Sequence, residues 1–257
     1  MTKYTALIVE PRQHRALEFV LENFTRLLDE RWSFVICHGT DNEAFVQEII
    51  QHKLFHASHR ITLVNLHVSN LTTHDYNALL TKPQFYELIP TEHVLIFQTD
   101  AMISEKHKLV IYDFLKYDYV GAPWVNQGVG NGGLSLRKKS KMLEILAYGG
   151  IPGGVNEDYF FSGLGHPKVT LYKPTFEEAK RFSVETVYSD ESFGIHNAWK
   201  YLSSEQIKSL NDYCSGLNEL ITLQGEPITP SVITSFIPLY LCPFSNCYDC
   251  GCCSRAV

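Results

Sequence analysis

The feature of this sequence that most constrains its fold is an alternation of short apolar runs and amphipathic stretches over the first hundred residues. The four apolar runs span residues 4–9, 32–37, 61–66 and 94–97. Segments 12–28 and 42–51 place apolar side chains three or four residues apart, which predicts helices, the second capped by Asn42. Strands that alternate with helices predict an α/β domain with a mainly parallel sheet, whose ligand site lies beyond the carboxyl ends of the strands.

The second half of the chain has a different pattern, because glycines cluster at 121–133 and again at 149–154. The sequence predicts short strands and helices between these loops, at 134–136, 138–148, 176–182 and 183–187. This half is therefore predicted to be α+β and rich in loops. We predict one domain over residues 1–224 and a proline- and cysteine-rich appendage over residues 225–257.

Composition excludes several classes of protein. The chain has 257 residues with 22 basic and 28 acidic side chains, so it has no overall positive field to hold nucleic acid. With 45% hydrophobic and 19% charged residues, it is too apolar for wholesale disorder. No apolar run reaches the roughly 18 residues of a spanning helix, and residues 4–9 are too short for a signal peptide, so we expect a cytoplasmic protein.

Three polar features follow apolar or glycine-rich segments, and each has two interpretations. Asp100 follows an apolar strand, where it could bind a metal or cap a following helix. The acids Glu157 and Asp158 could include a general base or stabilise a helix N-terminus. His196 could bind a metal or pack in the interior. Residue types and spacing alone leave these alternatives open.

The glycines between 128 and 133 formally match the G-x-G-x-x-G fingerprint of dinucleotide sites. That fingerprint requires a strand before it and a helix after it, whereas Pro123 and Trp124 precede these glycines and the extended segment 134–136 follows. We therefore reject a dinucleotide site. Glycine lets a backbone approach a ligand closely, so Gly132 and Gly133 are predicted to line a wall of a binding site.

Four segments together carry a family resemblance. They are Glu10-Pro11-Arg12, residues 97–100, residues 117–124 with 130–137, and Glu157-Asp158 with residues 193–196. Through them the chain resembles a family that is still labelled as a domain of unknown function. Members of that family are expected to be glycosyltransferases, because the family is similar to GT-A fold nucleotide-sugar transferases. The likeness spans residues 4–202. It implies an α/β, GT-A-like fold with a Rossmann-type, mainly parallel sheet flanked by helices and a loop-rich acceptor half.

The resemblance implies a metal and donor site. Gln98-Thr99-Asp100 stands where GT-A enzymes have a D-x-D motif, so Asp100 would bind Mn²⁺ or Mg²⁺ together with the late histidine, His196. Gln98 replaces the first carboxylate of that motif, which puts metal dependence in question. The residues implied in binding the nucleotide-sugar donor are Glu10, Arg12, Gln98, Thr99, Asn131, Gly132 and Gly133.

The resemblance also implies a reaction. Asn156-Glu157-Asp158 matches the acidic motif that supplies the base of inverting members, so Asp158 would deprotonate an acceptor hydroxyl and Glu157 would bind a sugar hydroxyl. Trp124 would stack on an acceptor sugar, or else pack beside Pro123. The implied activity is metal-assisted transfer of a sugar to a glycan or other hydroxyl-bearing acceptor, with inversion. One alternative is a catalytically inactive sugar- or nucleotide-binding protein of the same fold.

Five cysteines lie close together near the C-terminus, at positions 242, 247, 250, 252 and 253. They lack the paired spacing of a structural zinc site, and no histidine follows His196. Thioacylation of such cysteines could give peripheral contact with a membrane, or the segment could be a tail without function. A membrane-associated scaffold is therefore a second alternative to the enzyme.

Overall fold

The structure is a computed structural model, and it describes residues 2–126 and 128–225. Strands β1 to β9 are, in chain order, Tyr4–Val9, Trp32–His38, Ile61–Asn65, His93–Phe97, Ala101–Ile103, Tyr119–Gly121, Leu134–Lys138, Ser183–Val184 and Gly194–His196. Helices α1 to α9 are Leu17–Leu27, Glu43–His52, Thr73–Leu80, Pro83–Glu87, Lys139–Leu146, Glu157–Tyr159, Phe176–Lys180, Ser204–Tyr213 and Leu217–Leu223. Short 3-10 or π segments are Phe55–Arg60, Lys108–Phe114, Phe160–Leu164 and Ala198–Lys200.

The main sheet has six strands in the order β3-β2-β1-β4-β7-β6. The first four are parallel, and β7 runs antiparallel to both of its neighbours. This arrangement confirms the predicted α/β class with a mainly parallel sheet. A smaller sheet has the order β5-β9-β8, with β9 in its centre.

Helices cover both faces of the main sheet because its inner strands are apolar on both sides. Along β1, Ala6 and Ile8 face the core on one side, and Leu7 and Val9 face a second core on the other. The first core includes apolar side chains of α1, α2, α8 and α9, and the second those of α3, α4 and α5. Strands buried on both faces are typical of parallel sheets with crossover helices.

The structure decides two points about the loops after strands. Of the two alternatives for Asp100, the helix cap is wrong, because β5 follows it directly. Asn42 occupies the predicted cap position of α2, but it makes no capping hydrogen bond. Its Nδ2 instead donates to the carbonyls of Glu10 and Arg12, and its Oδ1 accepts from Gly39 N at 2.8 Å. Asn42 therefore joins the loops that follow β1 and β2.

Of the appendage predicted at 225–257, only Gly225 is among the described residues, so this domain boundary stays a prediction. The five clustered cysteines lie outside the described residues. Cys37 and Cys214 are described and are buried free thiols. Within ranges 2–126 and 128–225, none of the helices has the length and apolar character needed to cross a membrane.

Candidate active site

The small sheet brings Asp100 and His196 together although 95 residues separate them in the chain. Strand β9 pairs with β5 so that Ala101 lies opposite His196, and the amide of Asn197 donates to the carbonyl of Asp100 at 2.9 Å. Asp100 Oδ1 lies 3.3 Å from His196 Nε2. The two predicted metal ligands are therefore neighbours.

A third charged residue at this point, Glu185, was missed by the sequence reasoning. Strand β8 pairs with the other side of β9, and its last pair is Val184 with Ile195. Glu185 is the next residue and comes level with His196, so that its Oε1 lies 3.3 Å from His196 Nδ1. The only sequence signal was an acidic residue inside the apolar run 182–187.

The electrostatics of this cluster follow from its burial and from the two carboxylates beside the imidazole. Burial lowers the pKa of His196, but Asp100 and Glu185 outweigh it and raise the pKa to about 10. Burial likewise raises the pKa of Asp100, and the adjacent His196 more than offsets this, so the net shift is downward. Without a bound cation, the two carboxylates therefore favour the imidazolium form of His196.

The predicted glycine wall connects these groups to Asp158. The amide of Gly132 donates to Asp158 Oδ2 at 3.1 Å. The backbone of Gly133 lies directly against the imidazole of His196, where no side chain fits. The wall is fixed to the end of β4, because Gln98 N donates to the Gly133 carbonyl at 3.0 Å. The structure thus brings Asp100, His196 and Asp158 to one place, around the Gly132–Gly133 peptide.

Because this contact leaves no room for a Cβ atom, we expect Gly133→Ala to lower the free energy of unfolding by about 1–3 kcal/mol, the usual cost of overpacking. A Cβ added to Gly150 meets no atom within 4 Å, so Gly150→Ala serves as the matched control and should change stability little. Urea unfolding of both variants measures the difference. Equal stabilities for the two variants would contradict the close contact.

Asp158 lies in the first turn of α6 and has the properties of a general base. Asn77 Oδ1 accepts from the amide of Glu157 at 3.0 Å and so fixes the start of this helix. Asp158 Oδ1 accepts from the amide of Tyr159 at 2.7 Å. Burial, and next the neighbouring Glu157 carboxylate, raise the pKa of Asp158 to about 6. A carboxylate with such a pKa is mostly ionised at neutral pH, yet more basic than an ordinary aspartate.

Glu157 is engaged by a buried arginine. Arg137 Nη1 and Nη2 donate to the two carboxylate oxygens at 2.6 and 2.9 Å, and Arg137 Nε donates to Ser135 Oγ. The Arg137 side chain is fully buried, with its guanidinium over the ring of Tyr119. Glu157 is thus held in a bidentate ion pair under the site.

The pair Asp100 and His196 fits one side of a divalent-cation site. Asp100 Oδ1 and His196 Nε2 are buried and, among the described residues, neither has a hydrogen-bond partner. Adjacent ligands of an octahedral Mg²⁺ stand about 3 Å apart, and a carboxylate with an imidazole suits Mn²⁺. Over the part of the chain described, no group of three or more His, Cys, Asp or Glu could hold a metal. Remaining ligands would have to come from a bound molecule and water.

The predicted donor residues at the end of β1 form a separate group. Arg12 donates to both carboxylate oxygens of Glu10 at 2.8 Å, and the guanidinium remains about half exposed. His14, which the sequence reasoning missed, interacts electrostatically with Glu10 of this group and with Asp100. Burial lowers the pKa of His14, and the opposing effect of the two carboxylates does not offset it. Thr99 is buried, and its carbonyl accepts from Gln224 Nε2 at 2.6 Å.

Trp124 lies on the Asp158 side of the site and is partly buried. Its ring centroid is 6.4 Å from that of Tyr159, and Gly128 leaves room for the indole. Tyr159 is 47% exposed and adjoins Asp158 in the chain. The two aromatic rings therefore form an accessible surface beside the candidate base.

Comparison with protein families and solved structures gives one family match. A family described as "Protein of unknown function (DUF5672)" matches residues 60–196, just over half of the chain. The matched range begins before β3 and ends at β9, so it includes Asp100, the glycine wall, Asp158 and His196. No curated protein matches the sequence.

Several similar solved structures are glycosyltransferases. Mannosyltransferase PcManGT from Pyrobaculum calidifontis, in complex with GDP-Man and Mn²⁺, is 16% identical over 66% of this chain and 56% of that one, with a TM-score of 0.47. The bifunctional glycosyltransferase WbbM is 9% identical over 88% of this chain and 52% of that one, with a TM-score of 0.49. TarS from S. aureus is 11% identical over 86% of this chain and 69% of that one, with a TM-score of 0.44. The chain spans little more than half of the first two proteins. Similarities of this size assign no substrate, metal or mechanism to it.

Proposed function

Given that the chain belongs to the DUF5672 family of proteins of unknown function, we propose that it is a glycosyltransferase that moves a sugar from a nucleotide-sugar donor to an acceptor hydroxyl. The observation that carries the proposal is the arrangement of three polar groups around the Gly132–Gly133 peptide. A paired Asp100 and His196 lie on one side, and Asp158, with its raised pKa, is hydrogen-bonded to the other.

Asp100 and His196 would hold Mn²⁺ or Mg²⁺, and binding would release the proton that the free imidazolium carries on Nε2. The cation would neutralise negative charge on the departing nucleoside diphosphate. Arg12 extends from the end of β1 with an exposed guanidinium that suits a phosphate, and Glu10 holds it in place. Gln98, Thr99, Asn131, Gly132 and Gly133 complete the proposed donor site. At the two glycines the space of a side chain is taken by Glu157, Asp158 and His196, so glycine is required there for these groups to pack against the loop.

Asp158 is the proposed general base. Its ionised carboxylate would accept the proton of the acceptor hydroxyl while that oxygen attacks the anomeric carbon from the face opposite the leaving group, which inverts the configuration. Both oxygens of Glu157 are bonded by Arg137, so we assign to Glu157 the positioning of α6 in place of the expected contact with a sugar hydroxyl. The negative charge of Glu157 also raises the pKa of the base.

The surface formed by Trp124 and Tyr159 is the proposed acceptor side. Aromatic rings present flat apolar faces with polar edges, and such faces suit the apolar side of a sugar ring. Because Tyr159 follows the proposed base directly, a glycan stacked here would bring a hydroxyl close to Asp158.

A thermal-shift screen of nucleoside diphosphates and nucleotide sugars, each with and without Mn²⁺, tests the proposal. We expect the nucleotides that carry one particular nucleobase to raise the unfolding midpoint by about 5–10 °C at a hundredfold excess over Kd. Binding at that excess adds about 2.7 kcal/mol to stability. The part of the shift that needs Mn²⁺ should vanish in Asp100→Ala and persist in Asp190→Ala, whose side chain is exposed. If no nucleotide moves the midpoint under either condition, the proposed donor site is wrong.

One feature favours a second candidate, a sugar- or nucleotide-binding protein without catalysis. Gln98 stands where the related motif has its first carboxylate, so the site has one acidic group fewer to hold a cation. Donor binding without any turnover in the presence of Mn²⁺ would favour this candidate. Truncation after Gln224 separates the enzyme and the binding protein from a membrane-associated scaffold. Loss of function in a truncated domain that stays folded would favour the scaffold.

A further inference from the structure

The residue that most needs a role in this site is Glu185, because a carboxylate that is 5% exposed must be paired or hydrogen-bonded to be tolerated. Its Oε1 accepts from Asn131 Nδ2 at 2.8 Å and lies 3.3 Å from His196 Nδ1. Among the described residues, no other polar side chain forms a hydrogen bond or ion pair with the Glu185 carboxylate. Both partners belong to the proposed donor and metal site.

The topology fixes this carboxylate on the opposite side of the imidazole from Asp100. Strand β9 is central in the small sheet, with β5 on one side and β8 on the other. Asp100 immediately precedes β5 and Glu185 immediately follows β8, so the two carboxylates face different ring nitrogens. His196 Nδ1 is buried and, like Nε2, makes no hydrogen bond of good geometry within the described residues. Glu185 Oε1, 3.3 Å away, is placed to accept a proton from Nδ1 after a small adjustment, while Nε2 points toward Asp100.

Glu185 also acts on the glycine wall. Asn131, which donates to Glu185, accepts from the amide of Gly133 through its own Oδ1 at 3.0 Å. Gly133 in turn packs on the imidazole of His196. The carboxylate thus contacts the ring directly and also holds the loop that packs on its face.

We propose that Glu185 is a positioning residue that keeps the His196 imidazole oriented with Nδ1–H on its carboxylate and Nε2 toward Asp100. The inference rests on the proposed function for its purpose, since a histidine that binds a metal through one nitrogen donates its other N–H to a carboxylate or carbonyl.

The test compares Glu185→Gln, which keeps the size of the side chain, with Glu185→Asp, which keeps its charge. Binding of Mn²⁺ alone is measured by the loss of the free-ion EPR signal, and the ring nitrogens of His196 are observed by ¹⁵N NMR without metal. Glu191→Gln is the matched control, because Glu191 is exposed on the loop between β8 and β9. Unfolding midpoints of all variants show which of them are folded.

We expect Glu185→Gln to weaken Mn²⁺ binding about 10- to 100-fold, Glu185→Asp to restore part of it, and Glu191→Gln to leave it unchanged. We also expect the Nδ1–H signal of His196 to be present in the wild type and lost or shifted in Glu185→Gln. Unchanged Mn²⁺ affinity together with an unchanged His196 spectrum in a folded Glu185→Gln protein would overturn the inference.

Failure of the proposed function gives a different result. If the wild type binds no Mn²⁺, and Asp100→Asn behaves in the same way, the proposed metal site is wrong. The positioning of His196 then depends on the metal-free NMR spectrum alone. Absence of a proton on His196 Nδ1 in the wild type would overturn the inference. A proton signal that is present in the wild type and lost in Glu185→Gln would support it.

Discussion

Asp158→Asn is expected to reduce the rate of sugar transfer by about 10²- to 10⁴-fold while nucleotide binding is retained, because the substitution removes the proton acceptor. The asparagine keeps one oxygen, which can accept from the amide of Gly132 or of Tyr159 but not from both. The measurement is turnover of the nucleotide sugar selected by the thermal-shift screen, with transfer to an acceptor and hydrolysis recorded separately. Asp190→Asn, in an exposed position, is the matched control. A variant that keeps full activity would remove Asp158 from the mechanism.

The pH dependence of the wild type should follow the same group. Since the base works only when ionised, and burial raises the pKa of Asp158 to about 6, activity should fall as the pH drops through about 6. Stability should change in the opposite direction. A carboxyl whose pKa is raised on folding favours the folded state at low pH and loses this contribution as pH rises through about 6. Wild type should therefore lose stability relative to Asp158→Asn between pH 4 and 7.

Arg137→Met is expected to lower the free energy of unfolding by about 3–5 kcal/mol, because it leaves the Glu157 carboxylate buried without its partner. Chemical unfolding measured at neutral pH gives the value. Arg26→Met is the matched control, since Arg26 pairs with Glu105 in an ion pair that is more than half exposed and should contribute little.

The double variant Arg137→Met with Glu157→Met separates the cost of an unpaired charge from the cost of lost packing. Replacing both members of a buried ion pair by apolar side chains of similar size is often close to neutral, so the double variant should be more stable than Arg137→Met alone. If the double variant is the less stable one, or if Arg137→Met is no worse than Arg26→Met, then this pair does not support α6 as argued.

The main sheet could be predicted from sequence because its strands are long enough to show a pattern. The run at residues 4–9 coincides with β1, and those that predict β2, β3 and β4 are within one residue of the observed bounds. The resemblance to a family still labelled by an unknown function is confirmed by the match over residues 60–196. Burial of these strands on both faces makes their apolar character continuous, and runs of about four to eight such residues between polar or turn residues indicate buried strands.

The small sheet could not be predicted in the same way. Strands β5, β8 and β9 have two or three residues each, too few to show a period, and β5 and β9 are more than 90 residues apart in the chain. Asp100 therefore had a helix cap as its alternative role, although β5 follows it. Pairing between distant segments decides what lies beside His196.

The residues around the site differ in how far their types could suggest their roles. Asp100, Asp158 and His196 were identified because they match a motif order, whereas Glu185 lies in no motif and gains its place only through the pairing of β8 with β9. Arg137 lies in segment 130–137, which helps to carry the family resemblance, but the resemblance implies no role for this side chain. Its importance follows from the fully buried contact with Glu157, which no local pattern indicates.

The most direct test of the central claim is a crystal structure of the wild-type chain with Mn²⁺ and the nucleotide that stabilises it, recorded at a wavelength that locates manganese by its anomalous scattering. We predict a manganese peak within bonding distance of Asp100 and His196, with the diphosphate beside the Gly132–Gly133 peptide. Manganese and nucleotide bound elsewhere, for example in the groove of about 460 Å³ that Phe19, Phe45 and Leu223 help to line, would contradict it.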